Sequence, residues 1–295
     1  MAKWSSYHIF YYHQKNLDTV ISMIYKYCDL KKTKGDISKW FYIRYWDGSP
    51  HIRLRILAED SLDMIGLFNQ IQKYIKDNPS LIELIPEDYY AGMEQFKESD
   101  TEMQEWFSEG EIISKTYVRE SDRYGGDSLM DITEDLFMLS SELAWIVQEK
   151  SPDFNLRLLL SYALLEKMTK HLFLYESTEE LASLFQGVID FWGSRNHTSI
   201  QSINQFYHKN QSVLSKMQRV IAHDQKILKK IALIEQSIAV LKSQVTDKYY
   251  YNSIIISHIH MFCNRIGVAP IYEQAIYTQL LKFENQESIS NVMGV

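Results

Sequence analysis

Apolar residues along the first 120 positions switch between two spacings. SYHIFYYH (6–13) is dense in strand formers, whereas LDTVISMIYKYC (17–28) sets Leu17, Val20, Ile21, Ile24 and Tyr25 at helical spacing. Two strand-like runs, 40–46 and 51–57, flank DGSP, a turn sequence that leaves Pro50 at the edge of the second run. Helical period returns in SLDMIGLFNQIQKYI (61–75) and strand period in EIISKTYV (111–118), with an acidic excursion around 87–110 before that last strand. The order β-α-β-β-α-β predicts a split-βαβ, ferredoxin-like antiparallel sheet with its third strand central.

Beyond Gly125 and Gly126 the pattern becomes helical almost to residue 283, opening with SLMD (128–131), which fits a capping box. Apolar positions recur every three or four residues over 211–245, as expected of one long helix buried along one side. The last ten residues are expected to fray. The fold class expected is α+β: residues 1–124 a split-βαβ portion, residues 125–295 a mainly helical portion, together a single domain. With only 11 glycines and 5 prolines there is little material for a flexible linker.

Alternation within HIRLRIL sends Ile52, Leu54 and Ile56 to one side of the strand and His51, Arg53 and Arg55 to the other. Exposed sheet faces carry alternating charge routinely. If the helical half of the chain covers this face, however, its guanidinium groups need acceptors or anions. A second polar cluster, YVRESDRYGG (117–126), places Arg119, Glu120 and Arg123 between a strand end and a helix start, where backbone N–H groups favour anions; a charged loop is the alternative. In SIIISHIHMFCNR (253–265) the two histidines lie about 200° apart on a helix, so they do not present two ligands to one metal. His260 shares a stripe with Ser253, Ser257 and Asn264, while Ile254, Phe262 and Arg265 lie nearer His258.

A net charge of −7 argues against a broad nucleic-acid footprint but permits a local basic pocket. Cys28 and Cys263 have no CxxC or CxxH companion, so neither a disulfide framework nor a zinc site is suggested. No signal-like stretch or membrane-length apolar window occurs, and the chain reads as cytoplasmic.

WFYIRYWDGSPHIRLRI (40–56), YVRESDRYGG with the helix following it (117–137) and SHIHMFCNRIG (257–267) together resemble the C-terminal glutamate-elimination domain of class I lantibiotic dehydratases, which also occurs as a separate protein in thiopeptide pathways. Departures are the Ser140–Ser141 pair where the family usually has Asp-Ser, His258 at a commonly aliphatic position, and the 87–110 excursion. The resemblance implies elimination of glutamate from glutamylated serine or threonine of a ribosomally made precursor peptide, leaving dehydroalanine or dehydrobutyrine. It implies Arg53, Arg55, Arg123 and His260 as catalytic and Glu120, Arg119 and His51 as substrate-binding residues, with neither metal nor cofactor. Arginines suit the carboxylates of a glutamyl group, and His260 suits proton movement near neutrality. The partners implied are the glutamylated peptide and a separate, glutamyl-tRNA-dependent glutamylation protein, with no direct nucleic-acid contact; a sheet edge or the 87–110 excursion is a candidate docking surface, and a homo-oligomer is left open. Two other readings stand: a relative that forms a pyridine ring from two dehydroalanines, and a non-catalytic peptide-binding subunit.

Overall fold

The computed structural model describes residues 2–59, 62–91, 105–151, 153–195 and 199–293, with side chains, Lys170 excepted, as far as Lys282. The chain is α+β. It forms two compact units, one of residues 1–121 and 133–145, the other of residues 122–132 and 146–295.

The first unit holds β1 (Lys3–Phe10), α1 (Leu17–Thr33), β2 (Ile37–Tyr45), β3 (His51–Ala58), α2 (Ile65–Asp77), α3 (Pro86–Ala91) and β4 (Ile112–Lys115). Its strands form one sheet in the order β2-β3-β1-β4 with every neighbouring pair antiparallel, so the third strand is an inner one. Period-two alternation decides what each face buries. Ile52, Leu54 and Ile56 of β3, Trp40 and Tyr42 of β2 and Ile9 of β1 join Leu17, Val20, Ile21 and Ile24 of α1 and Leu67, Ile71 and Ile75 of α2 in one core cluster. β4 is shorter than its sequence pattern and ends at Lys115, before Tyr117 and Val118.

A helix, α4 (Met130–Lys150), follows the Gly-Gly turn, and its residues 133–145 belong to this first unit. They lie against β2, an edge strand: Ser141 Oγ accepts from Tyr42 N at 3.3 Å, Asp135 pairs with Lys39 at 2.9 Å, and Phe137 packs on Phe41 at 5.0 Å. This covers part of an edge that would otherwise offer backbone groups for pairing. The capping box expected at 128–131 does not form. Residues Asp127–Leu129 make a 3-10 turn, which puts Ser128 inside a helical turn rather than at an extended N-cap, and α4 starts at Met130 with no side-chain cap.

The second unit continues with α5 (Phe154–Leu172), α6 (Thr178–Gly193), α7 (Gln201–Lys209), α8 (Gln211–His223), α9 (Gln225–Gln244), α10 (Lys248–Ile266) and α11 (Pro270–Met293). The single long helix expected over 211–245 is two. At Asp224 the backbone leaves the helical region (ψ 105°) and the carboxylate accepts from Lys226 N and Ile227 N, capping α9. The apolar stripe runs on through the break: Leu214, Ile221, Ile227, Ile231, Ile234, Ile238 and Leu241 are all buried. The backbone of α11 is helical to Met293.

Candidate functional site

Two groups of polar residues stand out, one in each unit. In the first unit, strand register sets which side chains share the sheet face opposite the core. His8 of β1 lies across from Arg53, and Arg53 from Ile43; Phe10 lies across from His51, and His51 from Tyr45; Ser6 faces both Arg55 and Lys115. The face is therefore basic and aromatic. It is also shielded, with His51 2% and Arg55 8% exposed.

The Arg53 orientation traces back to the turn before β3. Ser49 adopts φ +92°, a conformation that costs energy for any residue with a Cβ. It is held there by its hydroxyl, which donates to the Phe107 carbonyl at 2.9 Å. The ends of the 87–110 excursion clamp this turn: Tyr90 Oη accepts from Gly48 N at 2.8 Å, Tyr89 Oη donates to the Trp46 carbonyl at 3.0 Å, and Phe107 stacks on Phe10 at 4.7 Å. Residues 92–104, the middle of that excursion and of its candidate docking surface, lie outside the described residues. The Ser49 carbonyl then accepts from His51 Nδ1 at 2.7 Å, which fixes the tautomer and leaves Nε2 as acceptor for Arg53 Nε at 3.2 Å. Both ring nitrogens of His51 are therefore engaged, one of them by Arg53. Burial and the adjacent Arg53 and Arg55 charges push its pKa down to about 3. His8, stacked on His51 at 4.8 Å, falls to about 3 through burial, then through His51, Arg53, Arg55 and Lys115.

Arg53 lies over the Tyr45 ring at 3.2 Å, and burial lowers its pKa while Tyr45, Asp47 and Glu120 oppose the shift. Arg55 donates to the Arg53 carbonyl at 3.3 Å and sits 5.7 and 5.3 Å from the Phe41 and Tyr117 rings. Arg119 is placed differently. Its Nε and Nη2 reach both oxygens of the buried Glu134 at 2.7 and 2.8 Å, a bidentate pair that ties the strand end to α4. His8, Lys115, Tyr45 and Tyr117 were not singled out by the sequence. The alternation in 6–13 could have found His8, but Tyr117 lies beyond the end of β4, where no strand periodicity applies.

In the second unit Gly125 and Gly126 take φ of +97° and +91°, and a Cβ at Gly125 would run into Leu129. Just before them a 3-10 turn, Ser121–Tyr124, is anchored to α10 by Tyr250 Oη, which donates to the Asp122 carbonyl at 2.7 Å. From this turn Arg123 Nε donates to Ser257 Oγ at 3.2 Å. Ser257 and His260 lie one turn apart on the polar stripe of α10, so the stripe brings Arg123 and His260 to one side of that helix. His260 Nδ1 is 2.8 Å from Glu273 Oε2, and the Trp192 ring packs on the imidazole at 5.0 Å. His258 points elsewhere: it meets the Tyr124 ring at 5.1 Å, and burial with the Arg265 and Arg123 charges lowers it to about 3. Among the described residues no group of three His, Cys, Asp or Glu is arranged to hold a metal ion, and no helix is long and apolar enough to cross a membrane.

Residues 4–283 match the family described as lantibiotic biosynthesis dehydratase C-term. The chain belongs to this family. Its fold is that of the pyridine synthase TbtD from thiomuracin biosynthesis, with a TM-score of 0.65 at 12% identity over 99% of both chains. The tRNA-dependent lantibiotic dehydratase MibB from Microbispora sp. 107891 matches with a TM-score of 0.57 at 14% identity over 98% of this chain, which spans 28% of the MibB chain. TsrL matches with a TM-score of 0.62 at 11% identity over 98% of this chain and 96% of its own. No curated protein matches the chain in sequence.

Proposed function

We propose that this family member eliminates glutamate from glutamylated serine or threonine of a ribosomally made precursor peptide. The observation that carries this reading is the shielded face of Arg53 and Arg55, with Lys115 beside them and His8 and His51 lowered to about 3. Such a face has permanent positive charge and aromatic walls, which suits a carboxylate-bearing leaving group. The strand order β2-β3-β1-β4 supports reading the first unit as a split-βαβ sheet, whose inner third strand carries these arginines.

In the reaction, a base takes the α-proton of the esterified residue, the Cβ–O bond breaks, and Cα=Cβ forms as glutamate departs with the bonding electrons. Arg53 and Arg55 hold the departing carboxylates, with Glu120 biasing Arg53. Charge that develops on the peptide amide needs a fixed cation or donor, a role assigned to Arg123. His260 moves the proton. The geometry supports orienting roles, rather than direct substrate contact, for His51 and Arg119. The elimination step takes as its substrate a peptide already glutamylated in an earlier, tRNA-dependent step.

A second reading, cyclisation of two dehydroalanines to a pyridine ring, is favoured by the match to TbtD over the full length of both chains. The test is a synthetic peptide bearing one glutamylated serine, followed by mass. Loss of the glutamyl group together with its ester oxygen, leaving an alkene, supports elimination; return to serine by hydrolysis counts against it.

A further inference from the structure

We propose that Glu273 is a positioning residue for His260, holding the imidazole as the Nδ1–H tautomer so that Nε2 exchanges the proton with substrate; this rests on the proton-moving role of His260 argued above. Glu273 stands in the first turn of α11, where the positive end of the helix favours a carboxylate. It is 0% exposed, and burying a carboxylate is costly unless it is paired. One oxygen is 2.8 Å from His260 Nδ1, while the other, Oε1, has no hydrogen-bond partner among the described residues. A carboxylate oxygen only accepts, so the ring nitrogen that faces it, Nδ1, is the one that donates.

The other titratable neighbours cannot take over the role. Cys263 and Tyr277 are fully buried, and burial together with the Glu273 charge pushes both pKa values well up, so both stay neutral. His260 itself keeps 24% of its side chain exposed, so the ring is anchored on its inner edge and reachable on its outer one. The Trp192 ring against the imidazole leaves it little freedom to rotate. A carboxylate that accepts from one ring nitrogen and thereby sets the other for proton transfer is the geometry a general base requires.

A merely structural pair between α10 and α11 would affect stability only. The experiment is therefore ¹⁵N-histidine NMR of the full chain, as wild type and as Glu273→Gln and Glu273→Asp, with kcat and KM on the glutamylated peptide for each variant and for His260→Ala. Near-UV circular dichroism identifies folded variants. Expected are an Nδ1–H signal for His260 in the wild type, its loss in Glu273→Gln with kcat down about 100-fold and KM little changed, and partial recovery of both in Glu273→Asp. An unchanged His260 tautomer in folded Glu273→Gln overturns the proposal. So does a lost tautomer with kcat intact while His260→Ala is inactive. Full elimination by His260→Ala instead refutes the role assigned to His260, whatever the spectra of the Glu273 variants show.

Discussion

Acid should weaken the first unit through His51, whose burial disfavours the charged ring. An unfolded histidine titrates near 6.5. In the folded protein His51 gives its Nδ1 hydrogen to Ser49 and receives one from Arg53 on Nε2, and its pKa falls to about 3. Between those values the unfolded chain binds the extra proton and the folded chain does not, so stability is complete above the unfolded value and is lost as pH falls toward the folded one. Integrating the linkage from about pH 8 to about pH 5 gives a loss of about 2 kcal/mol from this one group. The perturbation that isolates it is His51→Gln, with urea unfolding of wild type and variant at both pH values by tryptophan fluorescence, because His8 and His258 contribute acid sensitivity of their own to both proteins. The wild type should lose about 2 kcal/mol more than the variant on acidification. Equal losses would refute the neutral, doubly engaged imidazole.

Arg119→Ala should destabilise the protein by about 2 kcal/mol in urea titrations, since it strands the buried Glu134, with the partial exposure of Arg119 limiting the effect; a neutral outcome would remove its orienting role. Arg53→Ala should stay folded by circular dichroism and lose elimination, whereas Ile52→Asp or Leu54→Asp should cost at least about 3 kcal/mol, because these side chains are 0% exposed in the core. The reverse pattern would mean the two faces of β3 are misassigned. Asp224→Ala should cost about 1 kcal/mol through the lost cap of α9, and retained thermal stability would contradict that cap.

The alternation in 51–57 was enough to separate Ile52, Leu54 and Ile56, which reach the core, from His51, Arg53 and Arg55, because a strand with one buried face has only one workable register. Helical spacing likewise set His260 apart from His258, which meets Tyr124 while His260 meets Glu273. The part of the site that was not legible depends on contacts distant in sequence. The orientation of His51 relies on the backbone of Ser49, which in turn is held by Phe107, 58 residues on. Glu273 reaches His260 only because α10 ends at Gly267 in a left-handed turn and the chain doubles into α11. The break at Asp224 was a local signal, an acidic cap within an apolar stripe whose period continues across it.

The most direct test of the central claim sets two peptides side by side with the purified chain, one bearing a glutamylated serine and the other two dehydroalanines, with Arg53→Ala as control. Elimination through the arginine face predicts that the first peptide becomes an alkene with release of free glutamate, that Arg53→Ala abolishes this, and that the second peptide is unchanged. Cyclisation of the second peptide with the glutamyl ester left intact would contradict the account.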